Sequence, residues 1–226
     1  LPKKYISDVN AILEIDETDH VLSHKLFDSK STDELFNMST DIFVVDTPWL
    51  IERLEEEAQK EYPEKLRYVL RDLAAKEGAF AYEYTGYLAN IHSVQSYYQA
   101  NIDMLESKKF YSLFSPNQKI YTKVKNEEPT YYANTSKVST SQFASGSIIE
   151  GEVVQSVLSR NIHVHKDSVV KSSILFPRVV IGQGAQVEYA ILDKGVEVAD
   201  GVVIRGTAEH PVVVKKGEKV TEDIHS

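Results

Sequence analysis

A ladder of aliphatic residues in the last third of the chain restricts its fold more than any other feature. Leu158, Val164 and Val170 stand six apart, as do Leu175, Ile181 and Val187, and again Leu192, Val198 and Ile204. Corresponding members of the three sets are 17 residues apart. From about residue 147 onward Val and Ile dominate and no stripe of helical period is present. A six-residue period within a coil of 17 means three short parallel faces per turn, the pattern of a left-handed parallel β-helix built from hexapeptide repeats. One coil cannot bury its apolar rung alone, so the coils must stack. Ser156, Ser173, Ala185 and Ala190 are small enough for tight corners. Asn161, Gly184 and Gly201 suit turns with positive φ. About three full coils are read here, with a polar, frayed tail from Lys215.

The first half has a different organisation, alternating strands and helices. Ala11–Ile15 and Val21–Phe27 flank the acidic turn Asp16-Glu17-Thr18-Asp19 and read as a hairpin. Ile42-Phe43-Val44-Val45 reads as a buried strand. Asp46-Thr47-Pro48 signals a helix start, carrying Trp49, Leu50, Arg53 and Leu54, with Glu55-Glu56-Glu57 as its solvated face. A second helix spans about Glu64 to Lys76 and stops at Gly78. Phe80–Tyr84 alternates like a strand. Ser93 caps a third helix whose Tyr97, Tyr98, Ile102 and Leu105 belong to a core. The predicted division is residues 1–106 as an α/β domain, 107–146 as an irregular connector interrupted by Pro116 and Pro129, and 147–226 as the β-helix with its tail.

Charge and glycine exclude several functions. The net charge is −9 (25 Lys and Arg against 34 Asp and Glu). Residues 1–110 hold 12 basic and 21 acidic side chains, and residues 111–226 hold 13 of each. Neither half offers the clustered positive surface that a nucleic acid or an anionic membrane needs. With no cysteine, disulfides, thiolate metal sites and cysteine nucleophiles are ruled out. A cytoplasmic home is expected, since no apolar run is long enough for a membrane span and no signal peptide is visible. The chain lacks a start methionine, so a fragment or processed product is expected. No glycine occurs before residue 78, and neither Walker A nor G-x-G-x-x-G is present. A phosphate loop needs glycine for close backbone approach, so any such loop is expected to lie outside this chain.

Four segments carry a resemblance. They are Ile15-Asp16-Glu17-Thr18-Asp19, Asp41-Ile42-Phe43-Val44-Val45-Asp46, Gly86 to Leu105, and Val153-Val154-Gln155-Ser156-Val157-Leu158; Ser173 to Gly182 is similar to the following coil. Together they resemble the C-terminal half of the bacterial glucose-1-phosphate adenylyltransferase family, with the closest likeness to its GlgD-type subunits. The resemblance implies the C-terminal remnant of a nucleotidyltransferase mixed sheet with helices, followed by the β-helix. It further implies a role in ADP-glucose and glycogen synthesis, a tetrameric homo- or hetero-oligomer, and a catalytic partner subunit.

The departures from the family pattern bear on activity. Catalytic members carry a Lys that contacts the sugar phosphate where Phe27 stands here. A two-residue slip would bring Lys25 to the same strand face. Their Mg²⁺-holding Asp is matched by Asn90, which is uncharged and a poor ligand for a hard dication. Their His-Asp-Phe-Gly-Lys-Asp motif is matched by Arg67 to Asp72, keeping a basic Arg71 and Asp72. The sugar-site Ser is matched by Ser39. Nucleotidyl transfer depends on positioning and on charge neutralisation, so the resemblance implies a non-catalytic, regulatory subunit without a cofactor in this chain. Phe27→Lys with Asn90→Asp is expected to recover at most a trace of activity. A basic effector-phosphate contact in catalytic members is matched by Lys194 within Ile191-Leu192-Asp193-Lys194. The plainer reading makes Lys194 a solvated turn residue, paired at most with Asp193 or Glu197.

His163 and His165 flank Val164, and are read as two exposed imidazoles in preference to a metal site. Three alternatives remain open at this stage. One is a hexapeptide acyltransferase. The second is a competent nucleotidyltransferase whose N-terminal half is missing. The third is a purely structural scaffold.

Overall fold

The computed structural model describes residues 1–3, 6, 7, 10–115, 120–123 and 125–226. The connector proline Pro116 lies outside them. The chain divides into two compact units, Leu1–Thr85 and Gly86–Ser226. The predicted boundary at 106/107 therefore falls inside the second unit.

In the first unit, β1 (Ala11–Ile15) and β2 (Val21–Leu26) form the expected antiparallel hairpin, and β3 (Asn37–Met38) pairs on the other side of β1. The acidic turn closes on itself. Asp16 Oδ1 accepts from the backbone N–H groups of Thr18 (2.8 Å) and His20 (3.0 Å). Helix α1 (Thr47–Ala58) begins as the sequence indicates: Asp46 caps it by accepting from Trp49 N at 3.1 Å, and Pro48 sits in its first turn. Helix α2 (Leu66–Lys76) ends before Gly78, whose φ of 75° is the left-handed conformation glycine adopts without penalty.

Three expectations fail in this unit. Residues 42–45 form no strand, and Ile42 and Val44 are 81% and 100% exposed. A strand needs a neighbour for its backbone N–H and C=O groups. Among the described residues, no strand pairs with this segment. Phe80–Tyr84 likewise forms no strand and makes only a single bridge, Phe80 to His20. Glu57 does not belong to a solvated face. It is 7% exposed, accepts from Glu64 N at 2.6 Å and pairs with Lys60. The N–H donation, then Lys60, lowers its pKa.

The second unit opens with α3 (Val94–Asp103) and α4 (Ser107–Leu113). Ser93 caps α3 as expected and forms a reciprocal capping box with Ser96. The sequence showed no sign of α4. The chain then winds into a parallel β-solenoid of about six turns from residue 131 onward. Among the described residues its three faces carry six, six and five strands, all paired in parallel.

The predicted ladder is the solenoid core. Val164, Ile181 and Val198 stack inside one face, Val170, Val187 and Ile204 inside the second, and Leu158, Leu175 and Leu192 inside the third; all nine are at most 3% exposed. Each such side chain contributes about 1.5–3 kcal/mol of hydrophobic stabilisation.

The solenoid is longer at both ends than the sequence shows. Its first coil (Tyr131–Tyr132, Lys137–Ser139, Gln142–Phe143) is exposed or half-buried and has aromatic residues and a single Val in its strands, so it lacks the aliphatic signature. Its last coil follows a longer connection that breaks the 17-residue period. The expected frayed tail instead forms strands Lys219–Val220 and Ile224–His225, with Val220 buried.

The corners repeat with the coils. Positive φ recurs at Gln155, Ser172 and Tyr189, at Asn161, Arg178 and Gly195, and at Asp167, Gly184 and Gly201, each series spaced by 17. A serine ladder lines one corner. Ser173 Oγ donates to Lys171 O at 2.8 Å and accepts from Ala190 N at 3.1 Å, while Ser156 Oγ accepts from Ser173 N at 3.1 Å. Ser173→Ala leaves a buried N–H unpaired and is expected to cost about 1–3 kcal/mol. An unchanged thermal midpoint for that variant would contradict a structural role for the ladder.

Candidate functional site

The position the resemblance assigns to the sugar-phosphate lysine is structural in this chain. Phe27 is 6% exposed and packs with Ile6, Ile12 and Phe36, meeting the Phe36 ring edge-on at 5.0 Å. No ligand reaches a side chain buried in that way. Lys25, the alternative, is exposed at the end of β2 and pairs with Glu14 across the hairpin. Ser39 is half-buried just after β3, where its Oγ accepts from Asp41 N at 3.3 Å. Asn90 belongs to the second unit, half-buried and outside regular structure.

Arg71 is held by a two-pronged ion pair that the sequence did not reveal. Its Nε and terminal nitrogen donate to Asp41 at 2.8 and 2.6 Å, and the guanidinium is largely buried. Asp41 itself has a φ of 55°, a left-handed conformation that Asp adopts more readily than most residues. Burial, and then the Arg71 charge, push the His24 imidazole below its ordinary pKa, with Asp41 opposing the shift. Arg71 thus serves the first unit as a buried structural cation. Asp72 instead points outward to Lys76.

Lys194 lines an open groove in the second unit. Helix α3 packs on the solenoid face that carries Ile174–Leu175, Ala190–Leu192 and Val212–Val214. Tyr98 anchors it: buried, with its hydroxyl donating to Ser172 O at 2.7 Å. Beside this anchor is an open groove of about 490 Å³, within the range of small-molecule sites. Tyr97 and Phe176 form its aromatic wall with rings stacked 6.5 Å apart, and Val94, Ile191 and Val213 continue the apolar surface. Ser93, Asp193 and Lys194 form its polar end.

The chemistry of that end is mixed. Lys194 is exposed and makes no ion pair among the described residues. The expected partner Glu197 is taken by Lys219 at 2.8 Å. Asp193 accepts from Lys194 N at 2.6 Å, and the α3 capping box occupies the N–H groups of Ser93 and Ser96 while the helix dipole keeps this end weakly positive. A phosphate would find Lys194 and the helix end attractive and Asp193 repulsive. A sugar hydroxyl would find Asp193 an acceptor. An aromatic or apolar body would lie on Tyr97 and Phe176. The groove therefore suits a ligand that combines all three.

His163 and His165 also lie in this unit, on the outer side of a different face. They are stacked at 3.7 Å and half-exposed. Glu150 lies beside both rings, a contact the sequence does not reveal because it crosses from one coil to the next.

Among the described residues, no helix is long and apolar enough to cross a membrane. The GlmU-like C-terminal hexapeptide family matches residues 123–222. The glycogen biosynthesis protein GlgD of Bacillus subtilis (strain 168) is 35% identical over 183 residues, which are 79% of this chain and 52% of that protein. The glucose-1-phosphate adenylyltransferase of Bacillus mycoides (strain KBAB4) is 35% identical over 125 residues, 55% of this chain and 33% of that enzyme. That of Bacillus cytotoxicus is 34% identical over 144 residues, 64% of this chain and 35% of that enzyme. The chain spans about half the length of GlgD and a third of the adenylyltransferases. Over the residues these matches span, the chain is similar to the bacterial glucose-1-phosphate adenylyltransferases and to GlgD.

Proposed function

We propose that the protein carrying this chain is a non-catalytic, regulatory companion of a cytoplasmic glucose-1-phosphate adenylyltransferase in glycogen synthesis. The burial of Phe27 supports this reading most strongly, because a ring built into an apolar core replaces the cation that would hold the sugar phosphate. Asn90 adds to it. Magnesium prefers charged oxygen ligands in octahedral arrangement. Asn90 offers an uncharged amide oxygen where a charged one would be needed.

The regulatory part rests on the groove beside Lys194. A sugar phosphate or nucleotide would place its phosphate on Lys194, a hydroxyl on Asp193 and its ring on the Tyr97–Phe176 wall. Lys gives a point charge where an Arg would give a fork, so the phosphate contact is less directional. Charge-assisted contacts are worth about 1.5–3 kcal/mol. Lys194→Ala in the mixed assembly is therefore expected to raise the effector concentration for half-maximal response about tenfold or more. An unaltered effector curve would make Lys194 a surface turn residue and leave regulation to subunit contacts.

Self-association and assembly with the catalytic subunit are expected, since the solenoid ends in exposed strand edges that proteins usually cover. A monomer at high concentration that ignores the catalytic subunit would count against this. A solenoid of about six turns is also compatible with the acyltransferase alternative. Saturable acetyl-CoA binding would favour that class instead.

A further inference from the structure

We propose that Glu150, His163 and His165 form a binding site for one divalent transition-metal ion of the zinc class. The site is independent of the groove and of the regulatory reading above. It is built by the solenoid ladder. Val164 is fully buried, so its neighbours His163 and His165 both point outward on one face. The coil below places Glu150 beside them, because Ile148 pairs with His163 and Ile149 with Val164. Ladder hydrogen bonds hold the backbone of all three: Glu150 N to Val164 O (2.9 Å), His163 N to Val179 O (3.0 Å) and His165 N to Ile181 O (3.0 Å).

The side chains converge. His163 Nε2 is 3.1 Å and His165 Nδ1 3.6 Å from the same oxygen of Glu150. One ligand atom from each residue lies within 4.8 Å of the others. Tetrahedral zinc with bonds of about 2.0–2.1 Å sets its ligand atoms about 3.3 Å apart, so small rotamer changes suffice. Two imidazoles and one carboxylate favour zinc, cobalt, nickel or copper over magnesium and calcium, which prefer all-oxygen sites. Three protein ligands on a half-exposed face leave a coordination position for water or a further donor.

The test uses the untagged protein. Cobalt is titrated in as a spectroscopic probe and then displaced by zinc, with calorimetry giving the stoichiometry. One equivalent is expected, with a visible cobalt spectrum that zinc abolishes. His163→Ala and His165→Ala are each expected to weaken binding by about tenfold or more, since even outer partners of metal ligands are worth roughly 10–100-fold. His225→Ala, on another face, is expected to bind as the parent does. Zinc should also raise the thermal midpoint of the parent but not of the His163→Ala/His165→Ala double variant. All three ligands are surface side chains, and a matching metal-free midpoint verifies that the variants fold. If one variant fails that check, His163→Gln, which keeps bulk and polarity, takes its place. Absence of a bound equivalent, or an equivalent retained by the double variant, would overturn the proposal.

Discussion

Phe27→Lys is expected to destabilise the first unit by about 3–5 kcal/mol and to restore no activity. Truncating a buried phenylalanine costs about that much through lost contacts and the space left behind. A lysine adds the desolvation of an ammonium group among Ile6, Ile12 and Phe36. Part of that cost is recovered if the aliphatic stem lies along the cluster and the charge reaches solvent. Pairing Phe27→Lys with Asn90→Asp is expected to recover no more than a trace of activity, because position 27 is built into the core. Trp49 is the only tryptophan and donates to Glu77 within the first unit, so its fluorescence in urea follows this unit specifically. A midpoint within about 0.5 kcal/mol of the parent would mean that the aromatic pair is not what holds the unit together.

Tyr98→Ala has a similar expected effect, about 3–5 kcal/mol in the second unit. Its ring fills the seam between α3 and the solenoid against Ile174 and Ile191, and its hydroxyl satisfies the Ser172 carbonyl. Tyr98→Phe keeps the packing and is expected to cost only about 1–2 kcal/mol. Burial pushes the Tyr98 phenol up to about 12, with Tyr189 adding to the shift. A folded pKa above the unfolded value of 10.0 means that the stabilisation is complete below pH 10. It is lost as pH rises toward 12, and Tyr98→Phe should flatten part of that alkaline decline. Hydrogen exchange across Val94–Asp103 separates the two variants. Tyr98→Ala should expose the helix amides, and protection as in the parent would show that α3 does not depend on this anchor.

What was legible in the sequence depended on local chemistry or on a strict period. The nine aliphatic positions of the ladder were readable because each coil repeats the one before at a fixed offset of 17. Asp46, Ser93 and Gly78 were readable because a helix end needs a partner for its own nearby backbone groups. Residues 42–45 were misread because a run of aliphatics states a preference for burial and says nothing of which neighbour supplies it. The first coil is not legible because its strands, Tyr131 to Phe143, are exposed or half-buried and carry aromatics and one Val in place of the aliphatic ladder.

The candidate sites depended on contacts across longer separations. Glu150 meets His163 and His165 only through the register of two coils, and Asp41 meets Arg71 across 30 residues. Glu57 looked like one acid in a run of three, but the backbone of Glu64 claims it. Lys194 was picked out by resemblance, whereas the groove around it exists only because Tyr98 docks α3 on the solenoid.

The central claim is that the protein carrying this chain does not itself make ADP-glucose but alters a partner that does. Its most direct test is the rate of ADP-glucose formation from ATP and glucose 1-phosphate by the whole protein alone, by a catalytic adenylyltransferase alone, and by the two mixed. The account predicts a rate at background for the first, and for the mixture a changed rate or effector response relative to the catalytic enzyme. Robust ADP-glucose formation by the whole protein on its own would contradict it.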